Sequence, residues 1–476
     1  MKEKDATCGP APVHSRVLVH RRTGAVMTTD LQQPEEFADL MELMRNERAY
    51  SDRREARDPD DHRRGRRALL ITAIVLVLIL GAGGGYVAWA LNAPLHAPTG
   101  TAQEPDVALP AAATLALPSE GASAISMTGA DEYIGAAASG IWAKSGGDGP
   151  RPIASISKLI TALVVLHAKP LKGPSDAGPT LTFSKADHAL YDKYYVMGAS
   201  ILAMPTGSTM SEHDALATML LPSAANYAEA VANWAFGSQG GYVSATKKWL
   251  TANGLTSTTI VEPTGMSARN TSTTADLIKL GKLAAANPAV AAIASTKSLS
   301  LPGRGTLSNT NDLLGTDGIT GLKTGNLGDG TYNLLYTASF VVGDTHPVNV
   351  TGVVLGGATH GSVDKDVRQL LASIRQGFHN VEVASSGQHI GTYSTAWGST
   401  AQIVVAKDAS IFTWSNTPIA TTLKMKTPSS YANGATVGSV TFTAGKNTTT
   451  VPVTVEGSIH APTAWWRLTH PQELGG

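Results

Sequence analysis

An apolar run close to the amino terminus constrains where the rest of this chain can lie. Residues Ala68 to Leu91 read ALLITAIVLVLILGAGGGYVAWAL and include no charged side chain. At about 1.5 Å per residue, a helix over this run extends roughly 36 Å, enough to cross the ~30 Å hydrocarbon layer of a bilayer. Seven arginines precede the run between Arg53 and Arg67, whereas the first lysine or arginine after it is Lys144. The positive-inside rule therefore predicts a single-pass protein of the cell membrane, with a cytoplasmic amino terminus and the bulk of the chain outside.

A cleaved signal peptide is the alternative interpretation of this run. The residues Ala88 to Ala90 resemble a cleavage site. However, the apolar core of a signal peptide is shorter, and it rarely follows a tail of more than about sixty residues. We therefore favour a helix that spans the lipid bilayer over residues 68–91.

Changes of composition divide the chain into segments. The tail before the apolar run is polar and rich in arginine, which is typical of disorder, and the stretch after it is rich in Pro and Ala. Beyond residue 382 the pattern changes to short alternating strands with Gly, Asn and Thr turns. The predicted domains are a disordered cytoplasmic tail (1–67), a transmembrane helix (68–91), an extracytoplasmic linker (92–120), a central domain (121–382) and a small all-β domain (383–476).

The central domain mixes strands and helices. Residues 223–237 and 274–287 have the pattern of helices, and the latter segment ends at an Asn-Pro pair. A strand is predicted over 133–145, and two consecutive strands over 333–342 and 348–357 precede a helical pattern at 362–378. Adjacent antiparallel strands followed by a helix indicate an α/β domain in which helices cover a sheet.

Charge and cysteine content exclude several classes of function. The formal net charge is zero, which gives no argument for nucleic acid as a partner. The single cysteine, Cys8, excludes an internal disulfide framework and a multi-cysteine metal site. The thirteen histidines show no spacing typical of zinc ligands. We therefore expect neither a metal ion nor another cofactor.

A serine and a lysine open an apolar helix in the segment PIASISKLITALVVL. The apolar residues after Ser155 cover most of the helix circumference, which indicates a buried helix. A buried lysine either finds hydrogen-bond acceptors or loses its proton, and a neutral Lys158 is a base one turn from the Ser155 hydroxyl. The purely structural alternative is that Ser155 caps the helix and Lys158 reaches out to solvent. Ser-x-x-Lys also occurs at Ser244 and Ser362, but neither of those pairs opens an apolar helix.

Two further motifs follow in the chain. Lys323, Thr324 and Gly325 form its one Lys-Thr-Gly sequence, which leads through a glycine-rich turn into a strand. A cation and a hydroxyl on an edge strand, with a glycine that admits another backbone, suit the binding of an extended anionic ligand. Between the two motifs, Ser223 lies just before a predicted helix.

The order Ser-x-x-Lys, Ser-x-x, Lys-Thr-Gly resembles that of the penicillin-recognising serine acyl-transferases. From about Gly121 to the carboxyl terminus the chain resembles a low-molecular-mass penicillin-binding protein of the D-alanyl-D-alanine carboxypeptidase family. The resemblance implies a β-lactamase/transpeptidase-like catalytic domain, with an antiparallel sheet covered by helices and a helical subdomain. It also implies removal of the terminal D-alanine from peptidoglycan stem pentapeptides through an acyl-enzyme, and covalent inhibition by β-lactam antibiotics.

The resemblance also implies a role for each motif residue. Ser155 would be the nucleophile, Lys158 the base that takes its proton, and Ser223 the group that passes a proton to the departing D-alanine. Lys323 would keep the local field positive, and Thr324 would hold the terminal carboxylate. In the same way, the backbone N–H groups of Ser155 and Asn326 would form the oxyanion hole.

Two departures from the family pattern leave alternatives open. The second motif normally reads Ser-x-Asn, but Ala225 occupies its third position, and Asn226 follows one residue later. On a helix this offset is a rotation of about 100°, so Asn226 is a candidate substrate-binding residue only if the helix start is distorted. The segment after Lys-Thr-Gly also differs from the family. The alternative function is a catalytically impaired sensor that binds muropeptides or β-lactams, and a β-lactamase is the least favoured hypothesis.

Overall fold

The computed structural model describes residues 59–343 and 347–475. Most of the predicted cytoplasmic tail, residues 1–58, therefore lies outside the described residues, as does Cys8. The α-helices, in chain order, are α1 (Pro59–Asn92), α2 (Asp131–Ile134), α3 (Ser157–Ala168), α4 (Lys185–Val196), α5 (Glu212–Leu220), α6 (Ala225–Phe236), α7 (Gln239–Ala252), α8 (Thr274–Ala286), α9 (Pro288–Ala294), α10 (His360–Gln376) and α11 (Ala464–Thr469).

The strands belong to one five-stranded sheet, one six-stranded sheet and several two-stranded ones. In chain order they are β1 (Thr99–Ala102), β2 (Ala122–Thr128), β3 (Ala143–Gly146), β4 (Arg151–Pro152), β5 (Thr180–Thr182), β6 (Thr209–Ser211), β7 (Thr271–Ser272), β8 (Ser298–Leu301), β9 (Gly305–Ser308), β10 (Ile319–Gly325), β11 (Tyr332–Val341), β12 (Pro347–Gly357), β13 (Phe378–Ala384), β14 (His389–Ser394), β15 (Thr400–Val405), β16 (Ala409–Trp414), β17 (Ile419–Met425), β18 (Thr436–Ala444) and β19 (Asn447–Glu456).

The chain divides into two units, residues 1–89 and 90–476. In the first unit, α1 begins at Pro59, before the predicted span, and its apolar side chains such as Leu69 and Leu80 are largely exposed. Within the described residues, Arg64–Asn92 is the single helix long and apolar enough by itself to cross a membrane. The bent pair α8 and α9 meets the same criteria when taken together, but its apolar side chains belong to a protein core.

The five-stranded sheet is antiparallel, with the strand order β10-β11-β12-β2-β3, so β10 is an edge strand. Successive residues of its strands are buried on opposite faces. Leu335 and Val353 pack in the core that contains α3, α5, α6 and α8, whereas Leu334 and Val354 pack against α10 on the other face. Burial on both faces explains why these strands read as continuous apolar runs in the sequence.

Helices α3 to α7 form a helical subdomain on one side of this sheet. Helix α3 lies at its centre, because every residue from Ser157 to Leu166 is buried. Helix α6 is also buried along most of its length and packs against α3, α4, α5 and α7. The α/β fold with a helical subdomain therefore agrees with the expectation from the sequence.

The carboxyl-terminal region is a small all-β domain with its own core. Its six-stranded sheet has the order β1-β14-β15-β19-β18-β17, and β13 pairs with β16. Phe442, Ile403 and Val453 are fully buried in that core. Strand β13 begins at Phe378, so the strands of this region start five residues before the predicted boundary at residue 383.

The segment 92–120 differs from the predicted linker. Its strand β1 pairs with β14 as an edge of the β domain, from Thr99 opposite Ser394 to Ala102 opposite Gly391. Further along, the backbone N–H of Ala113 donates to Ser415 Oγ at 2.8 Å. Backbone groups alone can add a strand to a sheet edge, so this segment is hydrogen-bonded to the β domain although most of its residues are exposed.

Candidate active site

The Ser155 hydroxyl and the Lys158 amine lie within hydrogen-bond distance. Ser155 occupies a 3-10 turn, Ala154–Ile156, that leads directly into α3, and Lys158 is in the first turn of that helix. The Nζ of Lys158 donates to Ser155 Oγ at 2.9 Å and to the carbonyl oxygen of Thr264 at 2.6 Å. These two hydrogen bonds hold the lysine amine next to the serine hydroxyl.

Burial controls the charge of Lys158. The side chain is only 1% exposed. Removal from water lowers the pKa of Lys158 from 10.5 to about 7, and the nearby Glu262 carboxylate opposes this effect. The half-buried Ser155 hydroxyl thus faces an amine that is largely neutral just above neutral pH.

The end of strand β10 forms one wall of the site. Lys323 is buried, donates to Thr310 Oγ1 at 3.1 Å, and has a pKa well below its ordinary value because of burial and the nearby Lys158. Thr310 Oγ1 and Thr324 Oγ1 are 2.6 Å apart. A Cβ on Gly325 would lie 2.8 Å from the backbone nitrogen of Ser155, so this position must be glycine for the strand to approach the serine.

The second motif forms the facing wall. Ser223 is 7% exposed and has a left-handed backbone conformation, with φ of 65°, immediately before α6. This conformation is rare for a residue with a side chain. Ser223 and Ala225 both line the cleft, together with the segment from Met197 to Ser200.

Asn226 lies behind this wall. Its side-chain Nδ2 donates to the carbonyl of Leu202 at 2.7 Å, and its Oδ1 accepts from the N–H of Leu202 at 3.2 Å. The side chain is fully buried and is not among the residues that line the cleft. In this structure the Asn226 amide fastens the segment that carries the cleft wall, and its predicted contact with substrate stays a prediction.

The motifs enclose a cleft of about 620 Å³. Asn326 and His360 line its far end, with Asn326 Nδ2 3.4 Å from His360 Nε2. Among the described residues that line the cleft, Lys158 and His360 are the titratable side chains. Within the described part of the chain, no group of three or more His, Cys, Asp or Glu side chains is placed to hold a metal ion.

Sequence reasoning did not identify several residues of the site. Thr310, Thr264 and His360 belong to no motif recognised above, and each reaches the site through the tertiary fold. Thr264 lies in the segment VEPTGMSARN, in which no pattern marks its carbonyl group. No pattern marks Thr310 either.

A family model for D-alanyl-D-alanine carboxypeptidases matches residues 130–359. This segment contains all three motifs. Residues 130–359 belong to the D-alanyl-D-alanine carboxypeptidase family. The resemblance inferred from the motif order is therefore confirmed for the domain that carries the cleft.

Curated relatives match over shorter stretches. A D-alanyl-D-alanine endopeptidase from Escherichia coli is 31% identical over 147 residues, which cover 31% of this chain and 44% of that protein. A D-alanyl-D-alanine endopeptidase from Pseudomonas aeruginosa is 34% identical over 129 residues, which cover 27% of this chain and 38% of that protein. The chain thus spans less than half of the length of these relatives.

Several solved structures resemble this chain in fold. One is penicillin-binding protein 5 from Haemophilus influenzae, which is 17% identical, with a TM-score of 0.47 over 76% of this chain and 100% of that one. A D-alanyl-D-alanine carboxypeptidase from Francisella tularensis has 18% identity and a TM-score of 0.48 over 75% of this chain and 97% of that one. The Streptomyces K15 DD-transpeptidase has 24% identity and a TM-score of 0.45 over 54% and 98%.

Proposed function

We propose that this chain is a serine-type D-alanyl-D-alanine carboxypeptidase that removes the terminal D-alanine from peptidoglycan stem pentapeptides. One observation carries the proposal: a buried lysine with a pKa of about 7 has its amine 2.9 Å from the hydroxyl of a cleft serine. A serine hydroxyl is a weak nucleophile unless a base at hydrogen-bond distance takes its proton.

In the proposed reaction, Ser155 Oγ attacks the carbonyl carbon of the penultimate D-alanine while its proton passes to Lys158 Nζ. The tetrahedral intermediate collapses when the peptide C–N bond breaks and the departing amine receives a proton. Water then gives up a proton and attacks the ester carbonyl, the bond between the acyl carbon and Ser155 Oγ breaks, Oγ regains a proton, and the released stem ends in the former penultimate residue. A lysine that is neutral at working pH can serve as base in the first step and as proton donor in the second.

The other motif residues take the roles implied by the family. Ser223, which lines the cleft, would relay a proton to the leaving D-alanine, and Thr324 would hold the terminal carboxylate. Lys323, which donates to Thr310 beside Thr324, would keep the local field positive. The backbone N–H groups of Ser155 and Asn326 would donate to the oxyanion. Donors of this kind typically lower a barrier by about 3–4 kcal/mol each.

The rest of the proposal concerns location and inhibition. The apolar helix α1 and the arginines before it support a single-pass anchor in the cell membrane, with the catalytic domain on the extracytoplasmic side. The same serine and lysine would open a β-lactam ring, so β-lactam antibiotics are expected to acylate Ser155.

A second candidate is a sensor that binds muropeptides but turns over slowly. The observation in its favour is Ala225, which places a methyl group in the cleft wall where the family has an amide. An endopeptidase activity is a variant of the main proposal, supported by the names of the two curated relatives.

Release of D-alanine separates these possibilities. The full chain in detergent micelles should release D-alanine from a pentapeptide stem in repeated turnovers, and a fluorescent penicillin should label it covalently. Ser155→Ala should abolish both signals. The matched variants Ser157→Ala and Ser244→Ala should retain both, because Ser157 is buried behind the cleft, where Asn270 donates to it.

Covalent labelling without turnover would favour the sensor, and cleavage of cross-linked stem dimers in place of pentapeptides would indicate an endopeptidase. Unchanged labelling of Ser155→Ala would refute the assignment of the nucleophile.

A further inference from the structure

One carboxylate organises the loop that lies under the catalytic lysine. Glu262 Oε2 accepts from the N–H of Thr264 at 2.7 Å and from its hydroxyl at 2.6 Å. Its Oε1 accepts from the N–H groups of Gly265 at 2.7 Å and Ser267 at 3.2 Å, and from Asn270 Nδ2 at 3.0 Å. A carboxylate that accepts several backbone N–H bonds fixes the path of the local chain, because each N–H group must point at one of its two oxygens.

The loop that Glu262 organises contacts the first turns of α3 at several points. The carbonyl of Thr264 accepts from Lys158 Nζ at 2.6 Å, and the carbonyl of Pro263 accepts from Thr161 Oγ1 at 2.8 Å. Asn270 Nδ2 donates to Ser157 Oγ at 3.1 Å. The acceptor that holds the lysine is thus two residues from the carboxylate and part of the same hydrogen-bonded loop.

The charged and titratable groups around this loop come from several elements. The Glu262 carboxylate raises the pKa of Lys158 of α3, against the larger effect of burial. Lys158 in turn lowers the pKa of the buried Lys323 of β10. The charge of Glu262 also acts on two buried tyrosines, Tyr194 of α4 and Tyr242 of α7, whose hydroxyls are hydrogen-bonded to Glu229 and Thr161 respectively. Within this group Glu262 supplies negative charge near Lys158, whose amine burial drives toward neutrality.

We propose that Glu262 is a positioning residue for Lys158: it aims the Thr264 carbonyl at the lysine amine and supplies a negative charge that favours the protonated form of that amine. The proposal deepens the proposed function and rests on it, because it concerns the base of the same reaction. Glu262 touches no reacting atom, since it acts through the loop and through its charge.

The variant Glu262→Gln tests the proposal through the pH profile. An amide in place of the carboxylate removes the charge and presents an NH2 group to backbone donors, so the loop and the Thr264 carbonyl should shift. At pH 8 the rate of acylation by a fluorescent penicillin should fall by roughly tenfold or more, as expected for a displaced base. The acid limb of the rate profile should also move to lower pH by roughly half to one pH unit, because the protonated lysine loses its balancing charge.

Two further variants separate charge from fold. Glu262→Asp keeps the charge but shortens the side chain, so its acid limb should stay in place while the rate falls. Asp276→Asn is the matched control: this buried carboxylate also holds loop atoms, the N–H of Ser257 and the hydroxyl of Thr258, but it does not contact the Lys158 loop. Its acid limb should coincide with that of the wild-type protein. Each profile is divided by the folded fraction measured at the same pH, so the position of the limb does not depend on how much protein is folded.

An acid limb of Glu262→Gln that coincides with the wild-type limb would overturn the proposal. If the wild-type chain is neither acylated nor active, the proposed function fails, and a double-variant cycle decides the inference separately. In that cycle, the loss of melting temperature caused by Glu262→Gln at pH 6 should be smaller in a Lys158→Met background. Equal losses in both backgrounds would show that the two residues are not coupled.

Discussion

Replacement of Lys158 by methionine should abolish acylation and, near neutral pH, make the protein more stable. The side chain is buried in the apolar helix α3, and methionine has a similar length without a titratable group. Burial of an ionisable lysine lowers the stability of the folded protein, so its replacement should raise the free energy of unfolding.

The expected size of the effect follows from the pKa of Lys158. The amine binds a proton below pH 10.5 in the unfolded chain but only below about 7 in the folded one. Between these values the unfolded state binds more protons, so the stability of the wild-type protein should rise with pH across this window. At 1.36 kcal/mol per pH unit, the penalty is roughly 5 kcal/mol at pH 7 and below, and it disappears toward pH 10.5.

Loss of the hydrogen bonds to Ser155 and Thr264 opposes this gain. The Thr264 carbonyl is then left unpaired, at a cost of about 1–3 kcal/mol. The net effect of Lys158→Met is a stabilisation of roughly 2–4 kcal/mol at pH 7, which becomes a destabilisation toward pH 10.5. Thermal unfolding of the wild-type and variant chains at several values between pH 6 and 10 should show a melting-temperature difference that changes sign. A difference that is negative at every pH, or independent of pH, would refute the reasoning.

Three further predictions concern the second motif and the topology. Ala225→Asn should raise kcat/KM for a D-alanyl-D-alanine substrate by roughly 5- to 150-fold, because an amide in the cleft wall would pair with polar substrate atoms. The rate of β-lactam acylation should increase less. An unchanged kcat/KM would contradict this prediction. Asn226→Ala should lower the free energy of unfolding by about 1–3 kcal/mol, because it leaves the N–H and carbonyl of Leu202 unpaired, and an unchanged melting temperature would contradict this. Protease added to intact cells should leave a short membrane fragment that carries the arginine-rich tail, whereas release of a mature protein that begins near Asn92 would indicate a cleaved signal peptide.

The motifs and the strongly periodic elements could be predicted from the sequence. The helices predicted over 223–237 and 274–287 correspond to α6 and α8, and the strands over 333–342 and 348–357 correspond to β11 and β12. Each of these elements is buried on a continuous face or on both faces, so its hydrophobic pattern records its environment. The pairing of Ser155 with Lys158 was also predictable, because residues three apart on a helix share one side.

Elements with weak patterns were not predictable in the same way. The strand predicted over 133–145 is wrong in its first part, where the chain forms the end of α2 and a 3-10 turn, and only Ala143–Gly146 is a strand. This segment is rich in Ala and Gly, whose small side chains give little periodicity. The contributions of Thr310 and Thr264 to the site depend on chain paths that bring distant loops together. No local pattern records such a contact.

Two of the four non-glycine residues with positive φ in the described part of the chain lie at the candidate active site, whereas the other two, Asp317 and Ser415, lie outside it. Ala154, directly before Ser155, has φ of 47°, and Ser223 has φ of 65°, in a region that costs residues with a Cβ about 1–2 kcal/mol. Nothing in the sequence around either residue favours that conformation, so the surrounding core must impose it. Glycines permit the close contacts that result: a Cβ on Gly265 would collide with the carbonyl of Ala154, and one on Gly325 would crowd the N–H of Ser155. The packed core around α3 thus holds the strained turn at Ala154 next to the buried amines of Lys158 and Lys323. The proposed reaction needs this arrangement, because Ser155 can react at neutral pH only with a neutral base beside it.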